Sequence, residues 1–173
     1  MATVAAVAVL TACGNTTTGH PNPATTPPTE TSTTEHKKPY SLARLCELIT
    51  PEEAQSLGGS PEGKEGHSTS DGHAICQWSD ETSLIVGWQT GTSTAQADSG
   101  PGITNTPMTI DGLSAVQALS TDTVVMCEIL VDLPSGKMVA AGALVQSRGE
   151  GKYDPCQVAT QLTNLIIPRV RNQ

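Results

Sequence analysis

The chain has 173 residues, a net charge of -8 and an aromatic content of 2%, with no Phe, two Trp and two Tyr. An acidic surface disfavours nucleic acid and is repelled by anionic lipid, and the scarcity of rings means that a core has to be built from Leu, Ile, Val and Ala. No apolar stretch approaches the about 20 residues that a membrane-spanning helix needs.

Residues 1–12 read as a signal segment, in which residues 2–10 are long enough for the apolar centre. Leu10-Thr11-Ala12-Cys13 then has the form of a bacterial lipobox. In a lipobox the Cys thiol receives a diacylglyceryl group, and cleavage just before it leaves that Cys as the first residue of the mature protein. Cys13 is therefore expected to be the lipidation site and the membrane, reached through this lipid, the first partner. At about 0.8 kcal/mol per buried methylene, two acyl chains hold where one binds only marginally. An export signal ordinarily opens with Lys or Arg, whereas residues 1–12 carry no charge, so the reading frame is expected to extend upstream. Residues 14–39 contain nine Thr and five Pro and almost nothing able to pack. With Cys13 they read as a disordered tether, about 30 Å long as a coil and up to about 80 Å as polyproline II.

Residues 40–173 are the size of one domain and carry the whole net charge. Thr50-Pro51-Glu52-Glu53 has Thr at an N-cap, Pro at the first helical position and Glu where a capping box needs it, predicting a helix over 51–57 that Gly58-Gly59 stops. The period then changes to two. Residues 74–78 and 84–88 read as a hairpin, and 108–110 and 113–119 as a pair around Asp111-Gly112. Residues 123–133 and 137–145 read as strands turned by Pro134-Ser135-Gly136. Residues 91–102, rich in Ser, Thr, Gly and Ala, read as a mobile loop. Asp154-Pro155-Cys156-Gln157 opens a second helix, whose stripe Val158, Leu162, Leu165, Ile166 faces a core and which Pro168 is expected to end. The expected fold is α+β: an antiparallel sheet of about five to six strands, with the N-terminal and C-terminal helices packed on one face and two disulfides.

Apart from Cys13, the chain has Cys46, Cys76, Cys127 and Cys156, an even number in an exported domain, which reads as two bridges. Of three connectivities, Cys46–Cys76 with Cys127–Cys156 is favoured because each closes a loop of about 30 residues between neighbouring elements, a length for which the chain-entropy model gives about 3 to 4 kcal/mol. A four-thiolate zinc site would show paired C-x-x-C spacings, and there are none.

His67, Asp71 and His73 are the only close group of potential acid/base residues or ligands, set in a Gly/Ser-rich loop without a metal-binding spacing. Gly58-Gly59-Ser60-Pro61-Glu62 departs from a nucleophile elbow, which needs Gly at position 62. No phosphate loop or dinucleotide fingerprint is present, and no cofactor or metal is expected. Trp78 and Trp88 fall on strand faces shared with apolar residues, as core or as the lining of an apolar groove beside residues 91–102.

Several motifs resemble a known family in their order and spacing. Cys46 stands before Leu48-Ile49-Thr50-Pro51-Glu52-Glu53-Ala54 with Leu57-Gly58, followed by Cys76-Gln77-Trp78 and Ile110-Asp111-Gly112-Leu113-Ser114-Ala115-Val116, then Cys127-Glu128-Ile129 and Asp154-Pro155-Cys156. Together they are similar to the actinobacterial cell-envelope lipoproteins of domain-of-unknown-function family 3558, the LprB/LprC-like lipoproteins. The resemblance covers the domain, the tether and the lipobox; the uncharged N-terminus departs from it. It implies an envelope location, two structural disulfides and no catalytic residues to carry over. The expected function is that of a lipid-anchored binding or interaction module on the extracytoplasmic face of the cell membrane, taking an apolar small molecule or an envelope protein. The alternatives are a small hydrolase using His67, Asp71 and His73, and a purely structural envelope-assembly factor.

Overall fold

The computed structural model describes residues 41, 43–97 and 99–173; Cys13 and residues 14–39, with the lipidation and tether expectations, lie outside them. Seven strands form one antiparallel sheet: β1 (Lys64–His67), β2 (Ala74–Ser79), β3 (Thr82–Thr90), β4 (Ile103–Ile110), β5 (Leu113–Ser120), β6 (Met126–Asp132) and β7 (Lys137–Val145). Their spatial order is β1-β2-β3-β7-β6-β5-β4. Helices α1 (Pro51–Ser56) and α2 (Pro155–Val170) flank the strands in sequence. The α+β class is as expected, and the sheet has one strand more than the expected upper number. That strand is β1, whose Lys-Glu-Gly-His has no apolar alternation and which exists by pairing with β2 from Lys64 opposite Gln77 to His67 opposite Ala74.

Both helix starts are built as their residues dictate. Thr50 Oγ1 accepts from the Glu53 amide at 3.2 Å while Glu53 Oε2 accepts from the Thr50 amide at 2.8 Å, and Asp154 Oδ1 accepts from the Gln157 amide at 2.8 Å. Pro168 does not end α2, which runs on to Val170. Its missing N–H falls in the last turns, where the Arg171 amide still bonds Ile167 O at 2.9 Å and the Arg169 guanidinium holds the Glu53 carboxylate and the Leu48 carbonyl. β6 is shorter than residues 123–133, because Val124 and Val125 are half exposed in the connection before it. β4 is longer than 108–110 and tolerates Pro107 because it is an edge strand.

One face of the sheet is covered. Trp78, Leu84, Ile129 and Val139 are at most 1% exposed and pack with Leu162 and Ile166 of α2 and with Ala54 and Leu57 of the α1 segment. Two disulfides fasten this layer to the sheet: Cys46–Cys76 and Cys127–Cys156, with Cα separations of 5.2 and 4.9 Å and loops of 30 and 29 residues. The pairing is the one favoured from loop length.

Among the described residues the opposite face carries no helix, but the chain crosses it. The sheet order obliges the connection from β3 to β4 to pass β7, β6 and β5 and to travel from one end of the strands to the other. The segment from Gly91 to Ala97 follows this course as a strap over the sheet. The strap contains a 3-10 turn (Thr94–Gln96), and the Thr94 amide and hydroxyl both donate to the Asp132 carboxylate, at 2.9 and 2.7 Å. Next to it, Ala97 packs on a small second cluster of Leu130, Met138 and Ala140.

Candidate functional site

Beyond the end of α1 the chain must turn tightly and descend along the edge of β2, and three glycines permit this. A Cβ at Gly59 would stand 2.8 Å from a Leu84 methyl, and one at Gly63 would stand 2.5 Å from Cys76 Sγ and 2.7 Å from the indole nitrogen of Trp78. Gly58 has φ +80°, in the region that favours Gly. The segment therefore lies directly on the covered core, and Gly63 rests against the Cys46–Cys76 bridge and Trp78.

On the outer side of this segment is a concavity of about 460 Å³, lined by Ser60, Pro61, Glu62, Lys64, Gln77 and Ser79. Its size is within the roughly 300 to 1,000 Å³ usual for small-molecule sites. The alternation of an extended chain sends Glu62 and Lys64 to one side and leaves Gly63 to meet Trp78 on the other. The Ser60, Gln77 and Ser79 side chains are held by hydrogen bonds. Ser60 Oγ donates to Glu62 O at 2.8 Å and accepts from the Ser79 amide at 3.1 Å. Gln77 Nε2 donates to Ser83 Oγ at 2.6 Å, and that hydroxyl is also bonded to Ser79 Oγ at 2.9 Å. None of these lining residues is a site in the sequence reading, in which Gly58-Gly59 is a helix stop and the segment around Ser60 departs from a nucleophile elbow; the available signal was the three glycines within residues 58–63.

The family model described as a protein of unknown function, DUF3558, matches residues 8–169. The chain belongs to this family. No curated protein matches the chain, and no solved structure does. The DUF3558 span includes every residue that lines the concavity and both disulfides.

The residues singled out beforehand are distributed differently in this DUF3558 domain. Trp78 is 1% exposed in the covered core. Of the two readings, core or groove lining, Trp78 takes the core one, and the Gly63 backbone stands between it and the concavity. Trp88 is half-buried on the same face of the sheet, with Lys137 Nζ 5.3 Å from its ring centroid, and it lines neither the concavity nor the shallower hollow of about 320 Å³ beside Gln117 and Gln157.

Asp71 and His73 come into hydrogen-bonding contact with Gln89 alongside. Gln89 Nε2 is 2.6 Å from Asp71 Oδ2 and 3.1 Å from His73 Nδ1. A side-chain hydrogen bond from Ser68, and then the nearby His73, hold the Asp71 carboxyl below its ordinary value. His67 is not joined to them: opposite Ala74 it takes the helix side of the sheet, while the His73 ring lies over Gly87 on the other. Among the described residues no group of three His, Cys, Asp or Glu side chains could hold a metal ion.

Proposed function

We propose that the chain is a cell-envelope lipoprotein, anchored through Cys13 on the extracytoplasmic side of the membrane, whose domain binds a small molecule in the concavity between Ser60 and Ser79. The lipobox, the Thr/Pro-rich tether and two disulfides of the kind used outside the cytoplasm support the location. One observation carries the binding reading. The concavity has a wall pressed onto the core at Gly63, and its Ser60, Gln77 and Ser79 side chains are already held by hydrogen bonds, so the ordering left to a ligand falls on Glu62 and Lys64. Five of its six lining residues are polar. The surface they expose there is nevertheless mostly apolar, so the lining suits a ligand that carries hydrogen-bonding groups on an apolar frame.

The full chain in lipid nanodiscs, screened by ligand-observed NMR against a chemically mixed fragment set, tests this. Ser79 is exposed at the end of β2, so Ser79→Trp fills the concavity without entering the core. Fragments should bind the wild-type chain and lose their signal with the variant. A set of hits indifferent to Ser79→Trp would overturn the site. Release of Cys13→Ser from membranes is the expected result for the anchor, and unchanged membrane association would remove it.

A further inference from the structure

The chain has nine Lys and Arg residues, seven of them among the described residues, and six of those seven have a partner. Arg44 pairs with Glu47, Arg148 with Asp80, Lys152 with Glu81, Arg169 with Glu53 and Arg171 with Asp111, and Lys137 sits over the Trp88 ring. Among the described residues Lys64 alone is left without one, in a protein of net charge -8 with carboxylates to spare, and it lines the concavity. Glu62 lines the same concavity two residues away. It likewise makes no ion pair among the described residues, not even with Lys64. The same concavity has neutral hydrogen-bonding groups, the Ser60 and Ser79 hydroxyls and the Gln77 amide, with Gln77 opposite Lys64 on the neighbouring strand.

A lone cation would draw a simple anion such as phosphate, but the Glu62 carboxylate beside it repels one. A ligand with both signs gains from both groups and from charge-assisted hydrogen bonds at each end. We infer that this concavity takes a zwitterion, a short peptide or amino acid with a free ammonium for Glu62 and a free carboxylate for Lys64. The Ser and Gln side chains then offer a donor and an acceptor to a peptide unit between the two ends. The inference rests on the proposed site and names its ligand class.

The probe is L-alanyl-L-alanine, with N-acetyl-alanyl-alanine lacking the ammonium and alanyl-alanine amide lacking the carboxylate, titrated by NMR into the full chain in nanodiscs. We expect the free dipeptide to bind about tenfold more tightly than either blocked form. Lys64→Gln should abolish the discrimination against the amide and keep that against the acetylated form, and Glu62→Gln should do the reverse. Both residues are exposed, so the folded state is expected to persist, and unchanged amide spectra of α2 check it. Blocked forms that bind as well as the free dipeptide, or binding indifferent to both substitutions, would overturn the inference. So would an absence of dipeptide binding while fragments still bind in a Ser79→Trp-sensitive manner, an outcome that leaves the site itself standing. If neither dipeptide nor fragments bind there, the site and the inference fall together.

Discussion

Leu84 and Ile85 are neighbours on β3, yet Leu84 is fully buried beneath the helical layer and Ile85 is half-buried on the other face. The whole sheet is divided in this way. The covered face is filled by large aliphatics and Trp78 and is joined to its cover by both disulfides. The other face has Gly87, Ala140 and Gly142 along β3 and β7, and its cover among the described residues is the strap, held by side-chain hydrogen bonds and by Ala97. Stability is thus concentrated on one side of the sheet. The candidate site stands at the border of the two regions, with its wall borrowed from the rigid side through Gly63 and its opening turned away from it.

Removing the covalent staples should have the largest effect on this asymmetry. Loss of either bridge, as Cys46→Ala with Cys76→Ala or Cys127→Ala with Cys156→Ala, is expected to cost about 3 to 4 kcal/mol. Loss of both would approach the total stability of a typical domain, about 5 to 15 kcal/mol. Urea unfolding followed by tryptophan fluorescence measures this, and a midpoint unchanged by either pair of substitutions would show that the helical layer needs no staple.

Next in size is the contrast within β3. Leu84→Ala removes a fully buried side chain and should cost about 2 to 5 kcal/mol, whereas Ile85→Ala, on the half-covered face, should cost about 1 kcal/mol. Equal costs in the same urea assay would mean that the second face is packed as tightly as the first.

The difference between the two faces also explains what could be read from the residues alone. Thr50, Asp154 and the two prolines after them act through local hydrogen bonds and fixed φ, so α1 and α2 begin where expected. The alternation in residues 84–88 is imposed by the covered core and was equally plain. β1 was not visible, since Lys-Glu-Gly-His buries nothing and depends on the β2 edge. The anchoring of the strap is not legible in its own composition, because Asp132 lies 38 residues from Thr94 in sequence. The concavity was equally hidden. Glu62 and Lys64 look like solvated loop charges until Gly63 is seated on Trp78, and Gln77 and Ser79 arrive from another strand.

The strap itself supplies a smaller test. Asp132→Ala leaves the largely buried Thr94 amide without its acceptor, which should cost about 1 to 3 kcal/mol. The loss should appear locally: amide hydrogen exchange in residues 91–102 rises while that of α2 stays slow. Protection retained in the strap would assign its position to the packing of Ala97 on Leu130, Met138 and Ala140 instead.

The smallest effect expected is electrostatic and lies at the surface end of β3, where the helical layer meets the β2–β3 turn. A hydrogen bond from Lys152, and then one from Tyr153, hold the Glu81 carboxyl below its ordinary value, while Glu81 foremost and Tyr153 next hold the Lys152 ammonium above its own. A carboxyl lowered on folding stabilises above its unfolded pKa, about 4.3 for Glu, and that contribution is lost as the pH falls through the folded value. An ammonium raised on folding stabilises fully below its unfolded pKa, about 10.4, and loses its contribution as the pH rises through the folded value. The pair should therefore add a flat increment to the thermal midpoint between about pH 5 and 10 that declines on both sides. The increment should be small because both groups are exposed to solvent, and smaller still in salt. Subtracting the pH profile of Glu81→Gln from that of the wild-type chain at low ionic strength isolates it. The acid limb left in the variant should include Asp71, whose carboxyl is lowered independently by Ser68 and His73. A difference that grows toward either pH extreme would contradict the assignment, since protonating Glu81 or deprotonating Lys152 can only remove their mutual attraction.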